Sequence, residues 1–213
     1  MSLQKPFALN VRLDVKPERR DDFLQIIQND QSNTVAKEPD ALQFVDGEDV
    51  DSPNTFYLHE QYKSEDAFKY HTETPHYAEW KKFCDSEPFS VAPVVDFYLC
   101  THDAEKIPIR TAFCLNVELN IQPKVRNKFL EVIDNNQKGS NAEPLCLQYH
   151  YGESTTTPNT FFFHEEYTGE NDGKEGFQAH QATPHFAMWE TFASTGEPFT
   201  KPPVVNLYKS LQS

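Results

Sequence analysis

The chain has 213 residues, enough for one large domain or two small ones. Its 33 acidic against 19 basic side chains give a formal net charge of −14, which excludes the basic footprint of a nucleic-acid binder or of a protein held on an anionic membrane. Hydrophobic residues make up only 38% but aromatics reach 13%, with 17 Phe, so the core must be built from rings; the 7 Gly leave little for a Gly-rich phosphate loop.

Met1 to Pro6 lacks the charged-then-apolar pattern of a targeting signal. Phe7 to Val15 alternates, with Phe7, Leu9, Val11, Leu13 and Val15 on one side and Ala8, Asn10, Arg12 and Asp14 on the other, which predicts a two-faced strand. Pro17 suits the first turn of a helix, Phe23, Leu24 and Ile27 carry its apolar stripe, and Pro39 ends the region. Ala41 to Val45 and Asn54 to Tyr62 predict two strands joined by a polar loop containing Gly47 and Pro53. Ser64 is an N-cap for the next helix, which Pro75 kinks or divides into two short ones. Val94 to Cys100 predicts a last strand, and Thr101 to Arg110, polar and carrying Pro108, an exposed connection.

The chain then repeats itself. Phe7-Ala8-Leu9-Asn10-Val11 returns as Phe113-Cys114-Leu115-Asn116-Val117, and Pro53-Asn54-Thr55-Phe56 as Pro158-Asn159-Thr160-Phe161. Thr74-Pro75-His76 returns as Thr183-Pro184-His185, each followed four residues on by Trp80 or Trp189. The repeat defines two units, 1–100 and 111–213, joined by a linker at 101–110. Each reads β-α-β-β-α-β, an antiparallel sheet with helices on one face. About 100 residues cannot leave the other face in water, so the simplest solution packs the two bare faces together as a barrel. Cys84, Cys100, Cys114 and Cys146 lack CxxC spacing and read as buried small hydrophobes, pointing to the cytoplasm or another reducing compartment. No run of about 18 apolar residues suggests a membrane span.

The block His59-Glu60-Gln61-Tyr62, Phe68, His71, Thr74-Pro75-His76-Tyr77, with its copy His164-Glu165-Glu166-Tyr167, Phe177, His180, Thr183-Pro184-His185-Phe186, resembles the antibiotic biosynthesis monooxygenase (ABM) family. The resemblance covers nearly all of both repeats. It implies an α+β fold in which two ferredoxin-like repeats pack as an intramolecular dimeric α/β barrel. It also implies a cofactor-independent monooxygenase, or a related enzyme, acting with dioxygen on a small quinol, phenolic or hydroxyketone substrate. A non-catalytic small-molecule-binding or structural barrel is the alternative. Because some members degrade haem, haem enters by resemblance alone; otherwise no cofactor is expected. Association beyond the pseudo-dimer is left open.

Asn10 and Asn116 lie opposite the apolar stripe of their strands, so each should enter the space between the sheets. There an amide either donates to a substrate oxygen or ties the barrel together. Relatives that use an Asn on the first strand imply the former. His59 and His164, mid-strand, and His76 and His185, at helix starts, are the candidate proton acceptors, with a sheet or capping role as the bland reading. His71 and His180, at helix ends, read as structural. His71 and His76 stand five apart across Pro75 and share no helical face, so no metal site is expected. Tyr57, Trp80, Tyr149, His150 and Trp189 are candidate substrate contacts, the Trp pair doubling as core anchors. The extra Tyr149 and His150 make the second unit the better equipped for chemistry.

Overall fold

The computed structural model describes residues 5–211; Met1 to Gln4, the start of the segment lacking a targeting pattern, lie outside them. The first half runs β1 (Phe7–Asp14), α1 (Arg20–Lys37), β2 (Ala41–Asp49), β3 (Thr55–Tyr62), α2 (Glu65–Thr72), α3 (Pro75–Cys84) and β4 (Val94–Cys100). The second half repeats it as β5 (Phe113–Asn120), α4 (Arg126–Ser140), β6 (Cys146–Ser154), β7 (Thr160–Tyr167), α5 (Lys174–Gln181), α6 (Pro184–Ser194) and β8 (Val204–Ser210). Ser64 caps α2 by accepting from Ala67 N–H, and Thr74 and Thr183 cap α3 and α6 likewise, so the break at Pro75 makes two helices rather than a kink.

The eight strands close into one antiparallel barrel in the order β1-β3-β2-β8-β5-β7-β6-β4. The alternation of β1 sets its two layers. Leu9, Val11 and Leu13 pack outward against Phe23 and Ile27 of α1, and Ala8 and Asn10 point inward. The halves meet along two seams of three residue pairs each, β2 with β8 and β4 with β6.

Gly47 lies within β2 rather than in a loop, and β2 continues to Asp49. The reason is the seam: a Cβ on Gly47 would sit 2.3 Å from Lys209 O, and one on Gly152 2.1 Å from Leu99 O. Only a bare Cα lets the partner backbone approach so closely.

The linker also departs from a plain exposed connection. Ile107 N–H bonds to Leu42 O at 2.8 Å, Arg110 pairs with buried Glu166 at 2.6 Å, and the His102 ring stacks on His150 at 3.4 Å. The connection between halves thus plugs one end of the barrel. All four cysteines are free, with Cys100 and Cys114 buried and Cys84 and Cys146 half-buried. Among the described residues no helix is long and apolar enough to cross a membrane.

Candidate active site

The Asn and His side chains of the opening strands do meet inside the barrel, but they fill it. Asn10 faces His59 in the β1–β3 register, and the His59 Nδ1–H donates to Asn10 Oδ1 at 2.8 Å. Asn10 Nδ2 donates across the barrel to Phe163 O at 3.0 Å. The second half mirrors this, with His164 Nδ1 2.9 Å from Asn116 Oδ1 and Asn116 Nδ2 donating to Leu58 O at 3.1 Å. His59 and His164 stack face to face at 3.8 Å. Each Asn amide is therefore spent on the main chain of the other half.

Burial, followed by the neighbouring imidazoles, holds His59 well below its ordinary pKa. Burial likewise lowers His164, brings His102 down to about 4 and His150 to about 2. Tyr57 also points inward, donating to Asp49 at 3.0 Å. What room remains beside the Asn pair is a recess of about 180 Å³ at the barrel mouth.

Two roomier, partly open cavities lie on the other face of each sheet, under the helices. The first, about 280 Å³, is bounded by the β1 stripe, Trp80 and Phe97; the second, about 350 Å³, by the β5 stripe, Trp189 and Phe199. Each contains one imidazole and one carboxyl from the repeated block: His71 with Glu60, and His180 with Glu165. Tyr62 OH donates to Glu60 at 2.6 Å and Tyr167 OH to Glu165 at 2.8 Å. Burial raises both carboxyls, Glu165 to about 7.

Behind each cavity one glutamate oxygen receives two histidines. His71 Nδ1–H and His76 Nε2–H donate to Glu38 Oε1 at 2.9 and 2.6 Å, and His180 and His185 donate to Glu143 Oε1 at 2.8 and 2.6 Å. His71, in the last turn of α2, is also held by Glu38, and His76 and His185 lie behind the helix-side cavities instead of joining Asn10 and Asn116. The break at Thr74-Pro75 turns α3 so that His71 and His76 converge despite sharing no helical face. Asp30, His71 and His76, and likewise Glu143, His180 and His185, bring ligand atoms within 4.8 Å of one another, and among the described residues these are the sets that could take a metal.

The halves then diverge. Asp30 Oδ2 lies 3.9 Å from His71 Nε2, and burial, partly countered by His71, lifts Asp30 to about 7. Burial opposes the His71 imidazolium, but the Glu38 bond and the charges of Glu60, Asp30 and Glu38 outweigh it, so His71 is raised. In the second half Asn136 stands in place of Asp30, and burial leaves His180 lowered despite Glu143.

Of the sequence candidates, Trp80, Tyr149 and Trp189 line these cavities, whereas Tyr57 and His150 face the barrel core. The second cavity therefore gains Tyr149 but not His150, and Tyr149 OH is engaged by Asn136 Nδ2 at 3.0 Å. Sequence reasoning missed Asp30, Glu38, Asn136 and Glu143, and passed over Glu60 and Glu165. A signal for Asp30 existed: with Phe23, Ile27 and Thr34 it keeps the spacing of the buried face of α1, as Asn136 does with Phe129, Ile133 and Ser140 on α4. The cavities admit one or two fused rings and are too small for a tetrapyrrole, so haem does not fit.

The sequence profile described as antibiotic biosynthesis monooxygenase matches residues 6–82 and 112–191. An isomerase of (4S)-4-hydroxy-5-phosphonooxypentane-2,3-dione from Klebsiella pneumoniae is 34% identical over 67 residues, 32% of this chain and 67% of that one. "Putative monooxygenase YcnE" of Bacillus subtilis is 39% identical over 70 residues, 33% of this chain and 73% of that one. A solved "Putative monooxygenase" from Fusobacterium nucleatum superposes with a TM-score of 0.85 at 16% identity, covering 100% of this chain and 94% of that one, a likeness of fold. With both halves matched and the barrel closed as one pseudo-dimer, the chain belongs to the antibiotic biosynthesis monooxygenase family.

Proposed function

We propose that this chain is an enzyme that takes a small quinol, phenol or hydroxyketone into a helix-side cavity and removes a proton from it, the resulting anion reacting with dioxygen. The carrying observation is a buried carboxyl and imidazole lining an apolar, ring-walled cavity of bicyclic size. Groups titrating near neutrality are matched to general acid–base work, and an apolar wall keeps water from competing. Glu38 and Glu143 orient the imidazoles and stabilise them when they carry the proton, with His76 and His185 as the outer ends of each chain. The relatives' names, an isomerase of a hydroxydione and putative monooxygenases, fit this reading, since isomerising a hydroxydione begins with an enolate and oxygenating a quinol with the analogous phenolate.

For a ring CH₂ activated by a phenol, the step balances without another reductant. The anion gives one electron to dioxygen, and the radical and superoxide join through a new C–O bond. The proton held by the protein returns to give a hydroperoxide. Loss of water breaks its O–O bond and leaves a carbonyl, so one oxygen atom stays on carbon and the other departs as water.

Oxygen uptake with a panel of quinols and hydroxynaphthalenes, run beside solvent-deuterium exchange of hydroxyketones followed by NMR, tests this. Uptake or exchange is expected. Neither, in a protein that binds these compounds by calorimetry, would leave a binding protein.

A further inference from the structure

The two cavities share a scaffold and differ at the position where a ligand hydroxyl would be anchored. Leu9, Ile27 and Trp80 wall the first as Leu115, Ile133 and Trp189 wall the second. Asp30 lines the first and Asn136 the second, 2% and 1% exposed, and in each the Oδ1 atom is buried with no hydrogen-bond partner among the described residues. An orphaned acceptor at the edge of a cavity calls for a donor from a ligand. Both cavities therefore fit a small ring carrying a hydroxyl group.

The two acceptors are chemically unequal. A carboxylate can take the proton from that hydroxyl; an amide oxygen can only accept its hydrogen bond. We infer that the chain has divided its cavities, the first deprotonating the bound hydroxyl through Asp30 and the second holding a neutral hydroxylated aromatic on Asn136 without turning it over. This rests on the activity proposed above.

Two further differences fit this division. Tyr149, where the first half has Phe44, positions the amide by accepting from Asn136 Nδ2 at 3.0 Å. Phe186 replaces Tyr77, making the second cavity more apolar. In the first half an imidazole also lies 3.9 Å from the anchoring carboxyl, ready to act as the acid partner.

The two tryptophans of the chain, one per cavity, allow each site to be read separately. In Trp80→Phe and Trp189→Phe proteins under argon, 1,4-dihydroxynaphthalene should quench the remaining tryptophan in both cases. Asn136→Leu should weaken quenching at Trp189 by about tenfold, the loss of one buried hydrogen bond, and leave Trp80 unaffected. Asp30→Asn should lower oxygen uptake or proton exchange at least about a hundredfold while both cavities still bind. Asn136→Asp should install a second reactive site and raise turnover per chain by about twofold, since the added site doubles the number per chain.

Half the turnover surviving in Asp30→Asn would assign chemistry to Glu165 and His180 and overturn the division. Unchanged affinity at Trp189 in Asn136→Leu would overturn the second site. A wild-type chain that neither consumes oxygen nor exchanges protons would instead strike the activity proposed above, and the quenching result would still decide whether the second cavity is a ligand site.

Discussion

Replacing His59 with Phe asks whether the barrel histidines are packing groups or proton acceptors. His59 is fully buried, its Nδ1–H donates to Asn10, and Gln61 Nε2 donates to its Nε2. At pH 7 the substitution removes both bonds, costing about 2–3 kcal/mol at roughly 1 kcal/mol each plus the penalty of the abandoned partners. The same variant should be less harmful in acid. Because the folded pKa lies well below the ordinary 6.5, the unfolded chain takes up a proton at pH 5 and the folded one does not. The stability linked to His59 is therefore complete above pH 6.5 and lost as the pH falls below it. Between pH 7 and pH 5 this costs the wild type about 2 kcal/mol, at about 1.4 per pH unit below the unfolded pKa, and costs the Phe variant nothing. Urea denaturation of both proteins at the two pH values measures the difference. An equal cost at both would refute the neutral assignment. Loss of turnover in a folded variant would return His59 to the active site.

Gly47→Ala and Gly152→Ala each drive a Cβ into the backbone of the opposite half, so each should cost about 3 kcal/mol and lower the melting temperature by about 6–12 °C; an unchanged melting curve would mean the seams are loose. Arg110→Met leaves Glu166, 1% exposed, without its cation and should cost about 3–5 kcal/mol by urea denaturation, with Glu166→Gln in the same chain restoring much of it. Glu38→Gln should bring the raised pKa of His71 back down, read from its ring protons by NMR. The stability that His71 draws from Glu38 is full below pH 6.5 and lost as the pH rises through the raised folded value, so the variant's stability should fall less steeply on that side. A His71 titration unmoved by Glu38→Gln would refute the coupling.

Local pattern carried much of this molecule. Period-two alternation told Leu9 from Asn10, the cap at Ser64 and the break at Pro75 marked helix starts, and the duplication told of two halves that must cover each other. These features depend on residues a few positions apart, so one chain of letters contains them. The buried acidic positions were harder to read, because an Asp or Asn on a helix ordinarily faces water, and Asp30 is drawn inward only by the cavity beneath α1.

Where the open space lies was a matter for the assembled structure. Asn10 and His59 stand opposite each other in the β1–β3 register, but their partners across the barrel belong to the other half, with His59 stacked on His164 in the interior. His71 and His76 likewise became one cluster only when Glu38, at the end of α1, met them both. Strand faces and repeats obey steric rules that act along the chain. Cavities and shared protons depend on how side chains distant in sequence fill space together, and that was decided by packing.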